Sequence, residues 1–369
     1  MYDNRKRFLI LLLVLVFIFS FFTIYVSSEQ KIKISAKSAA LYEPETKKFL
    51  YTKNENERLG MASTTKIMTA LIAIECLDLN EDIAVDSRAV GIEGSSIYLE
   101  HGEIMNALDL IYALLLQSAN DAAAALAYKI ADSIEGFAAL MNQRAAELGL
   151  CDTHFTNPHG LDEKEHFTTA HDLALLSAEA LSNEVFREIT STYKREVESS
   201  NKKRLLVNHN KMLKSYDGCI GVKTGYTTRS GRCLVSAAEK NELTMISVTI
   251  DAPDDWRDHT TLLDYGYSLL EKRTLASSGE ISFEIPILSG NEKSVRVSNT
   301  DELKVILDKS NTPVEKHIML SRFFSAPVSE GDILGTVTFT RDGEEIASIP
   351  LRAEKTIEQA KRKKFFNIF

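Results

Sequence analysis

The sequence is poor in cysteine and carries no excess of positive charge. Four cysteines in 369 residues are too few for a fold that disulfide bonds hold together. The formal net charge of −9 argues against a surface that binds nucleic acid. Cys219 and Cys233 flank a predicted hairpin, and we expect them to be free, buried thiols rather than a disulfide. The length predicts a large core and more than one domain.

The sequence does contain three short strings in one order. Ser63-Thr64-Thr65-Lys66 comes first, Ser118-Ala119-Asn120 follows, and Lys223-Thr224-Gly225 comes last. Ser-x-x-Lys recurs at 191–203, but that stretch is rich in Lys, Arg and Glu, which is typical of a solvated surface. The copy at Ser63 runs into an apolar segment long enough for a buried helix. Ser63 would lie at the helix N-terminus, which favours negative charge, with Lys66 one turn later on the same face.

These residue types suit acyl transfer through a serine ester. A serine hydroxyl is a weak nucleophile at neutral pH, so a neighbouring base must take its proton. Lys66 can do so if burial and a second cation, Lys223, lower its pKa. We expect Ser118 to relay the proton to the leaving nitrogen. Asn120 would either bind the substrate backbone or hold Lys66 in place.

The oxyanion of such a reaction needs two preorganised donors. The backbone N–H groups of Ser63 and Tyr226 are the candidates. Gly225 lies just before Tyr226, and glycine there would let a ligand lie flat against the strand. A helix cap without catalysis is the alternative role for Ser63.

The three strings resemble those of the penicillin-interacting serine enzymes. More narrowly, the chain resembles the serine-type D-alanyl-D-alanine carboxypeptidases, the low-molecular-mass penicillin-binding proteins of peptidase family S11, over about residues 35–350. Segments 157–162, 167–172 and 217–221 support this resemblance. It implies an α+β fold with a penicillin-binding-protein/β-lactamase-like catalytic domain, in which helices flank an antiparallel sheet. A small C-terminal all-β domain would follow.

The resemblance also implies the roles of the matching residues. Ser63 would form the acyl-ester, Lys66 would accept its proton and Ser118 would assist. Lys223, with Thr224, would bind the substrate.

The same resemblance implies the partners and one further residue. The family has an arginine after the Lys-Thr-Gly strand that grips the substrate's terminal carboxylate, and Arg257 lies in about the right region. Stem peptides ending in D-Ala-D-Ala and β-lactam antibiotics are the expected partners. We expect neither a cofactor nor a metal.

Both ends of the chain predict contact with a membrane. Residues 5–7 are basic and precede an apolar stretch from Phe8 to Val26, so 1–28 is expected to be a signal peptide or an N-terminal anchor. The rest would act at the extracytoplasmic face of the cell membrane. Residues 352–369 end in a basic and aromatic run that suits an anionic membrane surface. A frayed, charged terminus is the alternative.

The pattern between these ends predicts two domains. Residues 30–272 would form the catalytic domain, with strands at Ala39–Tyr42 and Phe49–Tyr51 and a mostly helical region over 63–190. Residues 276–351 would form a β-domain, since Asp342-Gly343 is a strong hairpin turn between two apolar strands.

Three other functions stay open at this stage. A serine β-lactamase would need a general base for deacylation, which Glu163 or Glu165 could supply. A metal-dependent hydrolase could use the four histidines within 154–171, although their spacing matches no standard zinc pattern. A non-catalytic binding module could keep the fold without the reaction.

Overall fold

The computed structural model describes residues 32–361. Nine strands belong to the N-terminal part: β1 (Ser38–Glu43), β2 (Lys48–Lys53), β3 (Asp82–Ala84), β4 (Ile104–Asn106), β5 (Lys194–Glu198), β6 (Lys203–Val207), β7 (Cys219–Thr227), β8 (Gly231–Lys240) and β9 (Leu243–Ile250). Five of them form an antiparallel sheet in the order β2-β1-β9-β8-β7. β7, which carries the Lys-Thr-Gly string, therefore lies at the edge of the sheet. The predicted strands of this region are confirmed.

The helices of this part are α1 (Lys66–Cys76), α2 (Ala107–Leu116), α3 (Asn120–Ala131), α4 (Ile134–Glu147), α5 (Ala170–Ser182), α6 (Glu184–Ser191), α7 (Met212–Ser215) and α8 (Asp255–Leu269). Residues 67–73 of α1 are buried on every side, as the unbroken apolar run predicts. A buried helix next to the sheet fixes the position of the residues at its N-terminus.

The central sheet separates two layers of helices. Val235, Ile246 and Val248 point from one face into the main core with α1, α2 and α3. Leu41 and Met245 point from the other face toward Gly266 of α8. Because side chains alternate along a strand and both faces of the sheet are covered, every residue of β1 and all but one residue of β9 are buried. The expected α+β catalytic fold is confirmed.

A second, all-β part follows helix α8. Its strands are β10 (Leu270–Ala276), β11 (Ser282–Leu288), β12 (Ser294–Ser298), β13 (Leu303–Asp308), β14 (Glu315–Leu320), β15 (Phe324–Ser325), β16 (Ile333–Arg341) and β17 (Glu344–Ala353). β16 and β17 form the predicted hairpin, and both Asp342 and Gly343 have the positive φ that its turn requires.

This β-domain extends further than the sequence indicates. β17 continues to Ala353. Ile357 is fully buried in a second core, which the β-domain forms by itself, and its backbone pairs with Val328. The structure therefore places residues 352–361 in the domain and not in a tail. The predicted N-terminal segment 1–28 and the residues 362–369 lie outside the described residues. Within 32–361, no helix has both the length and the apolar character needed to cross a bilayer.

All four cysteines are free thiols. Cys219 pairs with Ala238 and Cys233 with Gly225, so the two cysteines lie at different levels of the β7–β8 hairpin. Cys233 is buried as expected, whereas Cys219 is half-buried.

Candidate active site

Ser63 lies in a 3-10 turn, Ala62–Thr65, that leads directly into α1. The hydroxyl of Thr65 donates to the Ala62 carbonyl oxygen at 2.8 Å, which fixes the turn. Gly160 packs against the same turn with a φ of +88°, and a Cβ there would come within 1.9 Å of the Ala62 carbonyl oxygen. Only glycine suits that position, so the loop around residue 160 packs tightly against the turn that carries Ser63.

Lys66 follows one turn after Ser63 and is fully buried. Its Nζ donates to Ser63 Oγ at 2.9 Å, to Asn120 Oδ1 at 2.7 Å and to the His159 carbonyl oxygen at 2.5 Å. Three acceptors use all the hydrogens that a lysine ammonium offers. When the amine is neutral, one lone pair can instead accept the Ser63 proton.

Burial lowers the pKa of Lys66 well below the usual lysine range, and the nearby charge of Lys223 lowers it further. The charge of Asp121 acts in the opposite direction. The sequence predicts both lowering effects, and the structure confirms them. A depressed pKa increases the fraction of free amine at a given pH, and a general base requires the free amine.

Ser118 and Asn120 lie between α2 and the start of α3. Ser118 has a φ of +58°, a conformation that an L-residue adopts only when its surroundings hold it there. The Asn120 amide bonds internally at both ends, because Oδ1 accepts from Lys66 and Nδ2 donates to the Glu93 carbonyl oxygen at 2.5 Å. Of its two predicted roles, this geometry favours holding Lys66 in place.

Asp121 is a buried carboxylate that the sequence analysis missed. It accepts from Ser96 Oγ at 2.6 Å and from the Leu99 backbone N–H at 2.9 Å, and so fixes the 96–99 loop beside α3. Its position directly after Asn120, at the start of a run of alanines, is the one signal in the sequence.

A pocket of about 310 Å³ opens beside the nucleophile. The predicted residues that line it are Ser63, Ser118, Thr224, Gly225 and Tyr226. A Cβ on Gly225 would come within 2.9 Å of the Ser63 backbone nitrogen, so β7 passes directly against the proposed oxyanion donor. The structure therefore requires glycine here for the packing of β7 against the turn that carries Ser63, while the predicted contact of a ligand with the strand at Gly225 stays a prediction. The donor roles of the Ser63 and Tyr226 N–H groups stay a prediction.

Lys223 lies beneath this lining. Its side chain is 1% exposed, its Nζ donates to the Thr224 carbonyl oxygen at 2.9 Å, and burial lowers its pKa to about 7. The geometry supports an electrostatic effect on Lys66. It gives no support to direct contact between Lys223 and a substrate.

Arg257 does not lie at the pocket. Its side chain is 82% exposed and its nearest acidic partner is Asp254, at 3.9 Å. The arginine in the pocket lining is Arg232, on β8. Ser95, His209, Asp255 and Trp256 complete the lining, and the sequence analysis did not identify any of these five.

The histidines of 154–171 have structural partners. His166 Nε2 is 2.8 Å from the Thr65 hydroxyl, and burial lowers the pKa of this imidazole to about 4. His159 contributes its backbone oxygen to Lys66. Among residues 32–361, no group of three or more His, Cys, Asp or Glu side chains is arranged to hold a metal ion.

Glu163 and Glu165, the candidate deacylating bases, do not line the Ser63 pocket. Glu163 accepts from Asn157 Nδ2 at 3.0 Å, and Glu165 is largely exposed beside Lys164.

Replacing Lys223 with methionine should change how stability depends on pH. The native pKa of about 7 is below the usual 10.5, so between these values the unfolded chain binds a proton that the native protein lacks. Stability therefore rises with pH in this window, by up to about 1.4 kcal/mol per pH unit. From pH 7 to 9, the unfolding free energy of the wild type should therefore rise by about 1–3 kcal/mol relative to that of Lys223→Met. Urea unfolding at each pH measures it.

Lys164→Met is the matched control, since that side chain is 91% exposed. Parallel pH dependences for wild type and Lys223→Met would show that burial does not depress the native pKa of Lys223.

Comparison with known proteins identifies the family to which the chain belongs. The sequence profile of the D-alanyl-D-alanine carboxypeptidase family, Peptidase S11, matches residues 25–254. The chain belongs to this family. The profile of the penicillin-binding protein 5 C-terminal domain matches residues 270–359, which agrees with the β-domain described above. Membership of this family separates the chain from the serine β-lactamases.

One homologous enzyme and two crystal structures align with most of this chain. D-alanyl-D-alanine carboxypeptidase DacF of Bacillus subtilis is 36% identical over 336 residues, which are 88% of this chain and 86% of the relative. The crystal structure of DacD from Francisella tularensis shares 26% identity with a TM-score of 0.65, covering 92% of this chain and all of that one. Penicillin-binding protein 5 from Haemophilus influenzae shares 25% identity with a TM-score of 0.66, covering 89% and 99%. The predicted two-domain fold is confirmed.

Proposed function

We propose that this protein is a serine D,D-carboxypeptidase that removes the terminal D-alanine from peptidoglycan stem peptides. The observation that carries the proposal is the 2.9 Å hydrogen bond between Ser63 Oγ and the fully buried Lys66 Nζ, at the edge of an open pocket. Family membership supports the substrate, because the relatives are named for this reaction.

Acylation begins when Ser63 Oγ attacks the carbonyl carbon between the two D-alanines. Neutral Lys66 accepts the hydroxyl proton, and the N–H groups of Ser63 and Tyr226 stabilise the oxyanion. As the tetrahedral intermediate collapses, the carbon–nitrogen bond breaks, and Ser118 passes a proton from Lys66 to the departing amine. Free D-alanine leaves, and the shortened peptide remains as an ester on Ser63.

Deacylation reverses these roles with water in place of the amine. Lys66, with Ser118 as relay, accepts a proton from the water that attacks the ester carbon. This proton then passes to Ser63 Oγ as the ester bond breaks and the shortened peptide leaves. A β-lactam would follow the first half of this path, because its amide is also open to attack by Ser63. Its ring nitrogen stays attached to the acyl group after opening, so it keeps its place in the pocket and blocks the water. The protein should therefore bind penicillin covalently.

The same proposal includes a place of action. Peptidoglycan lies outside the cytoplasm, so the enzyme must act in the cell envelope. The basic and apolar pattern of residues 1–28 supports export, and the basic and aromatic residues 361–369 support contact with an anionic membrane surface.

Incubation of the purified protein with a pentapeptide ending in D-Ala-D-Ala tests the function. We expect release of one D-alanine per peptide, measured by chromatography, and no release from the matched peptide ending in D-Ala-L-Ala. Intact mass after exposure to penicillin should show one stable adduct. Rapid penicillin hydrolysis without D-alanine release would instead identify a β-lactamase.

A further inference from the structure

Arg232 shares one face of the sheet with two residues of the Lys-Thr-Gly strand. It pairs directly with Tyr226 across the β7–β8 hairpin, and cross-strand partners project to the same side. Thr224 lies two residues before Tyr226 and so projects to that side as well. All three line the pocket that contains Ser63. Lys223, one residue before Thr224, projects to the opposite face.

The first residues of α8 hold the Arg232 side chain in place. Its Nη2 donates to Asp255 Oδ1 at 2.8 Å, and the Asp255 side chain is only 5% exposed. The guanidinium carbon lies 5.8 Å from the centre of the Trp256 ring. A buried carboxylate and an aromatic neighbour restrict the rotamers of a long side chain, which reduces the entropy lost when it binds a ligand.

The guanidinium still has donors to offer. Its Nε is shielded from solvent and has no hydrogen-bond partner within the described residues. The side chain as a whole is 42% exposed, so part of it faces the open pocket. Because Nε is shielded, a ligand in the pocket would bind the exposed part of the guanidinium, where the bond to Asp255 uses only one hydrogen of Nη2.

We propose that Arg232 recognises the free terminal carboxylate of the substrate, with the Thr224 hydroxyl as its neighbour and with Asp255 and Trp256 as positioning residues. This inference rests on the proposed function. A guanidinium remains charged at every relevant pH and binds a carboxylate through two parallel hydrogen bonds. Preference for a chain end over an internal peptide bond would follow from this one contact.

The other cations near the site are less suited to this role. Lys66 is fully buried and its three hydrogens are already used by Ser63, Asn120 and His159. Lys223 is buried and bonds to a backbone oxygen. Among the described residues that line the pocket, Arg232 is the one lysine or arginine.

The experiment compares two substrates that differ in one charge. The first is a pentapeptide ending in D-Ala-D-Ala with a free carboxylate, and the second is the same peptide with a C-terminal amide. We expect the wild-type protein to prefer the free acid. Arg232→Gln should lower kcat/KM for the acid by about 10- to 100-fold and change the amide by less than about threefold, because a charge-assisted bond is lost from the acid alone. Arg232→Lys should retain part of the preference for the free acid, since lysine keeps the positive charge but cannot form the two parallel hydrogen bonds.

Arg257→Gln is the matched control and should leave both rates within about twofold of wild type, because its side chain is 82% exposed. Equal losses on acid and amide in Arg232→Gln would overturn the inference, and so would a lost acid preference in Arg257→Gln. Should Arg232→Gln fail to fold, Arg232→Lys decides the question: unchanged acid preference in that variant would also overturn it. If wild type releases D-alanine from neither peptide, the proposed function itself fails.

Discussion

The Ser63→Ala variant is expected to release no D-alanine and to take up no label from a fluorescent penicillin. Without the hydroxyl no acyl-ester can form, and loss of the nucleophile from a serine hydrolase costs on the order of 10⁶-fold in rate. The variant should fold normally, because Lys66 keeps its bonds to Asn120 and to the His159 carbonyl oxygen. Gel fluorescence and a D-alanine assay measure the two losses.

Ser95→Ala is the control for this variant. Ser95 lines the same pocket, so the change tests whether loss of any pocket hydroxyl has the same effect. It should retain the label, and peptide mapping of the wild-type adduct should place the acyl group on Ser63. Labelling that persists in Ser63→Ala would move the nucleophile to another residue.

Lys66→Met should slow penicillin acylation by at least about 10²-fold, since general-base assistance contributes that much or more. Methionine has a similar length and suits the fully buried site. In the wild type, acylation should slow as the pH falls below the depressed pKa of Lys66, because a protonated amine cannot accept the Ser63 proton. That acid limb should be missing in the variant.

The rate of labelling across pH 5–9 measures both effects, with Lys164→Met as the exposed control. A variant that labels at the wild-type rate would show that another group is the base. A variant with a slow rate but an unchanged acid limb would separate the titrating group from Lys66.

The parts of the site that the sequence predicts correctly depend on local geometry. Ser63 and Lys66 are three residues apart at the start of a helix, so their contact follows from the helical repeat alone. Gly225 follows from the strand that carries it. The order of the three strings then predicts the common pocket, because the family that they resemble has a fold that brings them together.

The incorrect or missing parts depend on contacts between distant segments. Arg232 reaches the pocket because β7 and β8 pair in one register and α8 begins beside them. Nothing in the local sequence favours Arg232 over Arg257. Arg257 is in fact the nearer of the two in the chain to Asp255, at only two residues. Asp121 acts through a loop 22–25 residues earlier, which no short pattern reveals.

The end of the β-domain shows the same limit. The basic residues near the C-terminus predict a tail over 352–369, but Ile357 is buried in the core of the β-domain. One apolar residue in a polar stretch carries too little signal for its burial to be predicted.

One of the three oxygens around Lys66 belongs to the main chain at His159. No replacement of a side chain can delete that acceptor, so its distance to the amine is set by the path of the loop that Gly160 holds against the serine turn. Changes in that loop, outside the pocket lining, could therefore alter how readily Lys66 gives up its proton. Evolution or protein engineering could adjust the reactivity of Ser63 toward β-lactams in this way while every pocket-lining residue stays the same.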